Sequence, residues 1–184
     1  MSTVYIISAI TRVLKDLIQN ELEEQEFKTR VHPNIEISSI SPHIISSSYS
    51  DDDDRLNIFM YMSGYNQSWR NSVHPSMEGK KGYKDLLGID LHYVLTAYSK
   101  SELHTEILLG IGMKALNKNP VITGDKLLQV TEKNFLKNTF SGNESQMITI
   151  SLLPLNISEI SQIWTAFSAP YHPSVYYKIT GIEM

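Results

Sequence analysis

The stretch from Met147 to Glu183 restricts the fold of this chain more tightly than any other. It reads MITISLLPL, then NISEISQIWTAF, then SAPYHPSVYYKITGIE. Ile148, Ile150 and Leu152 alternate, which marks a strand with one apolar face. Pro154 closes that strand, because proline cannot donate to a central ladder. Asn156 followed three residues later by Glu159 has the form of a capping box. Ile157, Ile160, Trp164 and Phe167 recur at helical spacing with Ile163 beside them, so Trp164 and Phe167 are expected in the core. Pro170 and Pro173 stop the helix and stiffen the turn. Strand character resumes at Val175-Tyr-Tyr-Lys-Ile-Thr. A strand–helix–strand unit without a reactive group points to a scaffold rather than a catalyst.

The rest of the chain alternates helix and strand patterns in the same way. Ile6, Ile10, Val13, Leu14, Leu17, Ile18 and Leu22 line one face of a first helix that ends near Glu23. Its acidic end is mildly unfavourable to the helix dipole. Asn34 to Ile40 reads as a short strand ended by Pro42, and Ser46 to Asp54 as a polar loop. The four aspartates there repel one another and stay solvated; a calcium site is the alternative, but the EF-hand spacing is absent. Leu56 to Met62 is apolar on both faces, as a central strand is. A loop of about 20 residues follows, long enough to suggest function. In it Trp69 and Arg70 form either a recognition pair or a cover over the domain edge.

Ile89 to Ser99 is the longest strand pattern, with Ile89, Leu91, Tyr93, Leu95 and Ala97 on one face and a mixed set on the other. Ser101 stands where a cap belongs, before a helix whose apolar set is Leu103, Ile107, Leu108, Ile111 and Ala115. Leu109, Met113 and Leu116 widen that face, which predicts burial on more than one side. Gly110 and Gly112 weaken this helix, for which close backbone packing is the usual compensation. Asn117, Asn119 and Pro120 end it. Between Val121 and Gln146 only helical turns near Asp125–Leu128 and Thr131–Asn138 stand out. The expected fold is α+β: one mixed, mainly antiparallel sheet with packed helices, in a single domain over residues 1–184.

Composition narrows the functional classes. No apolar run approaches the roughly 20 residues that cross a bilayer, and a basic segment ahead of a purely apolar stretch is missing. With no cysteine there is no disulfide or thiolate chemistry. A net charge of −4 argues against broad nucleic-acid binding. The six histidines lack metal-pair spacing, and phosphate-loop, dinucleotide and nucleophile-elbow motifs are missing. No metal ligand set or cofactor is therefore nominated. Asp90 and His92, two residues apart on a strand, are the one acid–base pair that a small hydrolase would use. The ten tyrosines fit sheet and interface roles better.

Three blocks taken together resemble a known family. They are NIFMYMSGYNQSWRN at 57–71, LLGIDLHYVLTAYSKSELHTEILLGIGMKALNKNP at 86–120 and ITISLLPLNISEISQIWTAFSAPYHPSVYYKI at 148–179. In this order and spacing they resemble the N-terminal domain of the cap proteins of contractile injection systems, the phage-tail-like particles of the antifeeding-prophage and virulence-cassette kind. Most specific are the L-D-L-H-Y strand ending in T-A-Y and the run W-x-A-x-x-x-P-Y-x-P-S-V-x-Y. Some members carry a further domain, so residues 1–184 are expected to be the terminator domain alone.

That resemblance implies a tail-terminator-like fold and a structural role. A six-fold ring of this chain would close the distal end of the inner tube and anchor the last sheath layer. Its partners would be copies of itself, the tube protein and the sheath protein, with no nucleic acid, membrane or cofactor. Assembly would be cytoplasmic, followed by release with the particle. Interface candidates are Trp69 and Arg70 with the loop Asn71 to Lys84, and Tyr171, His172, Ser174 and Tyr176 around a rigid corner. A tail-completion or adaptor protein of a related phage tail is the alternative within the same fold.

Overall fold

The computed structural model describes residues 5–24, 35–48, 54–66, 87–132 and 147–183. Helix α1 (Ile6–Glu24) leads into strand β1 (Ile35–Ser38), α2 (Pro42–Ser48), β2 (Asp54–Tyr65) and β3 (Gly88–Tyr98). Then come α3 (Glu102–Lys118), β4 (Val121–Thr123), α4 (Gly124–Glu132), β5 (Met147–Leu152), α5 (Ile157–Phe167) and β6 (Ser174–Glu183). The strands form a single mixed sheet in the order β1-β2-β3-β6-β5-β4. β1 runs parallel to β2 and every other pairing is antiparallel. The α+β architecture is as the sequence predicts.

One face of the sheet carries the aliphatic core. The α1 residues Ile6, Ala9, Ile10, Val13, Leu14, Leu17, Ile18 and Leu22 are all buried against it. At about 2 kcal/mol for each large aliphatic side chain removed from water, this stripe fixes α1 far more strongly than helix propensity does. Leu56 and Ile58 of β2, Leu91, Tyr93 and Leu95 of β3, and Ile179 of β6 supply the sheet side. The Tyr93 hydroxyl lies 2.7 Å from Thr11 Oγ1 of α1. Burial pushes that phenol up to about 12, with the Thr11 hydrogen bond opposing.

Helix α3 lies beside α1, and Gly112 explains how close it comes to the sheet. A Cβ there would sit 2.8 Å from Leu95 Cδ2 and 3.1 Å from Leu56 Cδ2. Gly110 has no such reason: nothing lies within 4 Å of its would-be Cβ. The acidic end of α1 is not idle. Glu21 is buried, 2.7 Å from Lys118 Nζ and 3.0 Å from Lys114 Nζ, and Glu24 is 2.9 Å from Lys118. These ion pairs join α1 to α3 and outweigh the burial that would raise the Glu21 pKa, leaving it below the usual carboxylate value.

Several local expectations change. Pro42 begins a helix rather than a loop, since its fixed φ suits a first helical turn, and Ile45 anchors α2 in the core. Asp54 is the buried first residue of β2, not part of a solvated loop, with His104 Nδ1 3.8 Å away. β4 went unread because three residues give no period. Met113, Leu103 and Ile107 are exposed, so α3 is covered on one side only. Ser101 occupies the cap position without a side-chain capping bond. In contrast, Asn156 and Glu159 form the full reciprocal capping box, with bonds of 2.9 and 2.8 Å.

Candidate interaction surface

The opposite face of the sheet is built from rings rather than aliphatics. Cross-strand register places Phe59, Val94 and Tyr176 in one row and His92 beside Lys178 in another. A bulge between Met60 and Met62 leaves Tyr61 as an extra residue, and it turns towards His92 and Tyr176, with centroids 6.0 Å away in each case. Helix α5 crosses this face. Phe167 meets Phe59 edge-on at 5.8 Å and Tyr61 at 6.2 Å. Trp164 is buried and its Nε1 donates to the Tyr176 hydroxyl at 3.0 Å. Ser174 Oγ donates to the same oxygen at 3.2 Å. A buried indole N–H requires an acceptor, so this bond locks α5 to β6.

The turn after α5 forms the corner that the prolines foreshadow. Ser168 takes the left-handed conformation at φ 53° and ends the helix. Its carbonyl accepts from His43 Nδ1 of α2 at 3.2 Å. His172 then lies between Tyr98, 4.7 Å away, and Trp164, at 6.0 Å; burial lowers its pKa. Beside it, a cavity of about 190 Å³ is lined by Ile45, Tyr98, Thr105, Pro170 and His172, among others. Tyr171 stands on Trp164 with centroids 5.7 Å apart, yet 61% of it remains exposed.

The structure therefore gathers Tyr171, His172, Ser174 and Tyr176 into one corner but gives them unequal access. Tyr171 presents a ring to solvent, His172 and Ser174 are half-buried, and Tyr176 is buried with its hydroxyl already engaged. Trp69, Arg70 and the loop from Asn71 to Lys84 lie outside the described residues.

Asp90 and His92 share the aromatic face without forming a relay. Asp90 Oδ2 is 2.8 Å from Lys178 Nζ, and Oδ1 accepts from Asn66 Nδ2 at 2.8 Å. Both carboxylate oxygens are thus committed elsewhere. Burial lowers the His92 pKa, Lys178 adds to that, and Asp90 opposes it. Beyond Lys178 the face is open: Val121, Thr123, Met147, Thr149 and Ser151 are exposed on β4 and β5.

Two features that sequence reasoning missed shape this surface. Gly181 has φ +83°, and with Thr180 it faces Asp90 alone, forming a bulge in β6. A glycine inside a strand pattern is the signal for such a bulge. Asn57, within the apolar run of β2, accepts from Ser38 Oγ at 2.8 Å and from Ile40 N at 2.9 Å. Its own amide donates to Ile40 O at 2.9 Å, extending the sheet edge beyond β1 through a side chain. No helix among the described residues is long and apolar enough to cross a membrane.

Comparison with known proteins agrees with this scaffold. The Pvc16 N-terminal domain family matches residues 9–184. Among solved structures, the sheath/tube terminator of an extracellular contractile injection system (PVC), in its extended state, superposes over 100% of the chain. The TM-score is 0.57 at 13% identity. The tube-terminating cap of the anti-feeding prophage superposes equally fully, with TM-score 0.54 at 12% identity. The chain spans 57% and 56% of the length of those two proteins. No curated protein matches the chain.

Proposed function

Because the chain belongs to the Pvc16 N-terminal domain family, we propose that it terminates the inner tube of a phage-tail-like contractile particle and holds the last sheath layer there. The observation that carries this reading is the superposition of the whole chain on two terminators despite 13% and 12% identity. In this reading six copies close a ring on the distal tube end, and residues 1–184 act as one terminator domain. A ring of head-to-tail contacts stops growth because it closes upon itself. The partners are further copies of the chain, the tube protein and the sheath protein, without nucleic acid, membrane or cofactor. Assembly occurs in the cytoplasm before release with the particle.

The role is structural rather than enzymatic. The engagement of Asp90 by Lys178 and Asn66 supports this over a hydrolase. β1 and β4 are the border strands of the sheet, four and three residues long. Either border offers main-chain groups to an added sheath strand. Tyr171 is the corner residue best placed to contact a partner, by its exposure; Trp69 and Arg70 are proposed to reach the tube or a neighbouring copy.

Electron microscopy of particles from a strain lacking this chain tests the proposal. Tubes of uncontrolled length, or sheath lost from the far end, are expected; normal length with firmly held sheath overturns it. Tyr171→Ala is expected to leave the fold intact while weakening sheath retention or ring formation. Purified Trp69→Ala/Arg70→Ala protein that caps tubes as well as the parent removes that loop from the account.

A further inference from the structure

Two apolar helix surfaces remain without a partner in the described fold, and they lie on opposite sides of the sheet. On α3, Leu103, Ile107 and Gly110 follow one another at intervals of four and three residues, so they share one stripe. That stripe points away from the buried set Leu108, Ile111, Gly112, Ala115 and Leu116. Leu103 is 69% exposed and Ile107 is also exposed. Gly110 completes the stripe as a notch, with open space where a side chain would be. A mid-helix glycine is unfavourable relative to alanine, and no contact within the described fold compensates for it, unlike Gly112.

Across the sheet, the first half of α5 overhangs its support. Trp164 is the only residue of the helix that is fully buried. Ile157 is 86% exposed and Leu152, at the end of β5, is 57% exposed, while Ile160 and Ile163 are half-covered. Ile157 is the most exposed apolar side chain of that corner, and Gly110 leaves a notch in the α3 stripe. Leu103 to Gly110 spans about 10 Å along its helix and Ile157 to Ile163 about 9 Å, so the two match in length.

From this pairing we propose that the α3 stripe of one copy receives the Leu152–Ile157–Ile160 corner of a second copy, with Ile157 seated over Gly110. The inference rests on the ring reading above and specifies its contact. A head-to-tail contact needs two different surfaces on one molecule, so that each copy uses one towards either neighbour. Two unlike apolar surfaces on opposite faces of one sheet meet that need, whereas a two-fold contact would bury one of them and leave the other in water.

The absence of cysteine makes the test direct. Capped tubes are assembled with chains carrying Leu103→Cys, Ile157→Cys or both, then treated with a bismaleimide that bridges thiols about 10 Å apart, the separation of Leu103 from Gly110 along the helix. The double variant is expected to give a ladder of covalent multimers. A mixture of the two single variants is expected to give a dimer, and either single variant alone none. Gly110→Leu fills the notch while favouring the helix, so it is expected to raise the melting temperature of the free chain and lower ring yield at least tenfold. Rings seen by microscopy without the mixed dimer overturn this contact but leave the terminator reading standing. Cross-linking of Leu103→Cys to itself, or to tube or sheath protein, also overturns it, as does undiminished ring formation by Gly110→Leu. Single copies on tube ends overturn the ring reading and this contact together.

Discussion

The two faces of the sheet are organised on different principles. The face under α1, α3 and α4 is aliphatic and closed, with Leu14, Leu56, Leu91, Leu95 and Ile179 fully buried. The face under α5 is aromatic and half open: Phe59, Tyr61, Trp164, Phe167 and Tyr176 contact one another edge-on. Beyond them lie the Asp90–Lys178 pair and bare strand surface. Aliphatic packing is tolerant in direction and sensitive to volume, which suits a core that only has to hold together. Aromatic and polar contacts are directional, so they hold that face in one shape. The fold thus rests mainly on the first face, while the second combines directional ring contacts with open strand surface.

The sharpest way to break that contrast is to remove the largest ring of the second face. Trp164→Ala is expected to cost about 3–5 kcal/mol, as large as a loss on the aliphatic face, but with a different pattern. Hydrogen exchange is expected to rise first in α5 and the corner after it, while α1 and β3 keep their protection. Leu14→Ala, at about 3 kcal/mol, is expected to lower protection across the whole sheet. Equal effects on both faces from Trp164→Ala would show that the two are not separable units.

A smaller effect, about 2–3 kcal/mol, is expected from Gly181→Ala. The left-handed φ disfavours any Cβ, and here one would collide with the Met147 carbonyl oxygen. The bulge carrying Gly181 faces Asp90, so the polar patch of the open face should be disturbed before the aliphatic core. Lys178 and Asn66 resonances shifting ahead of those of Leu91 in nuclear magnetic resonance would sharpen the comparison. Uniform shifts would blunt it.

Much of the aliphatic face was legible in the sequence. The stripe of α1 repeats without interruption for five turns, and the capping box at Asn156 and Glu159 sets the start of α5. On α3 apolar residues surround the helix, so periodicity alone did not reveal which side faces in. Gly112 decides that, because only at that position must the backbone approach Leu95 and Leu56. α2 was hidden because two buried residues, Pro42 and Ile45, hold it while three serines give it the composition of a loop. At the corner, Pro170 and Pro173 made Tyr171, His172 and Ser174 recognisable as neighbours. Their exposure was not legible, since the Trp164–Tyr176 bond that buries Tyr176 joins residues 12 apart on different elements.

On the aliphatic side, the join between α1 and α3 carries a pH signature. The folded pKa of Glu21 lies below its ordinary 4.5 because Lys118 and Lys114 favour the charged form more than burial disfavours it. Such a group contributes its stability above the unfolded pKa and loses it as the pH falls through the folded one. Glu21→Gln is therefore expected to lower the melting temperature at pH 7 by about 5 °C. The gap between parent and variant should narrow as the pH falls below the ordinary 4.5 and through the lowered folded value. A gap that persists in acid would mean that geometry, rather than charge, joins the helices.

The smallest effect compares one hydroxyl on each face. Tyr93→Phe removes a buried hydroxyl from the aliphatic side, but its partner Thr11 keeps a bond to Ile7 O at 3.1 Å. Nothing is left stranded, so the cost is about 0.5–1 kcal/mol. Tyr176→Phe removes the oxygen that accepts from both Trp164 Nε1 and Ser174 Oγ. The serine can rotate towards another partner, whereas the indole N–H can only donate and is held in a buried ring. An unmet buried donor costs about 1–3 kcal/mol, so Tyr176→Phe is expected to be the more damaging by about 1 kcal/mol in urea denaturation. A tie, or a larger loss from Tyr93→Phe, would mean that the Trp164–Tyr176 bond does not hold α5 to β6, and that the second face keeps its shape by ring packing alone.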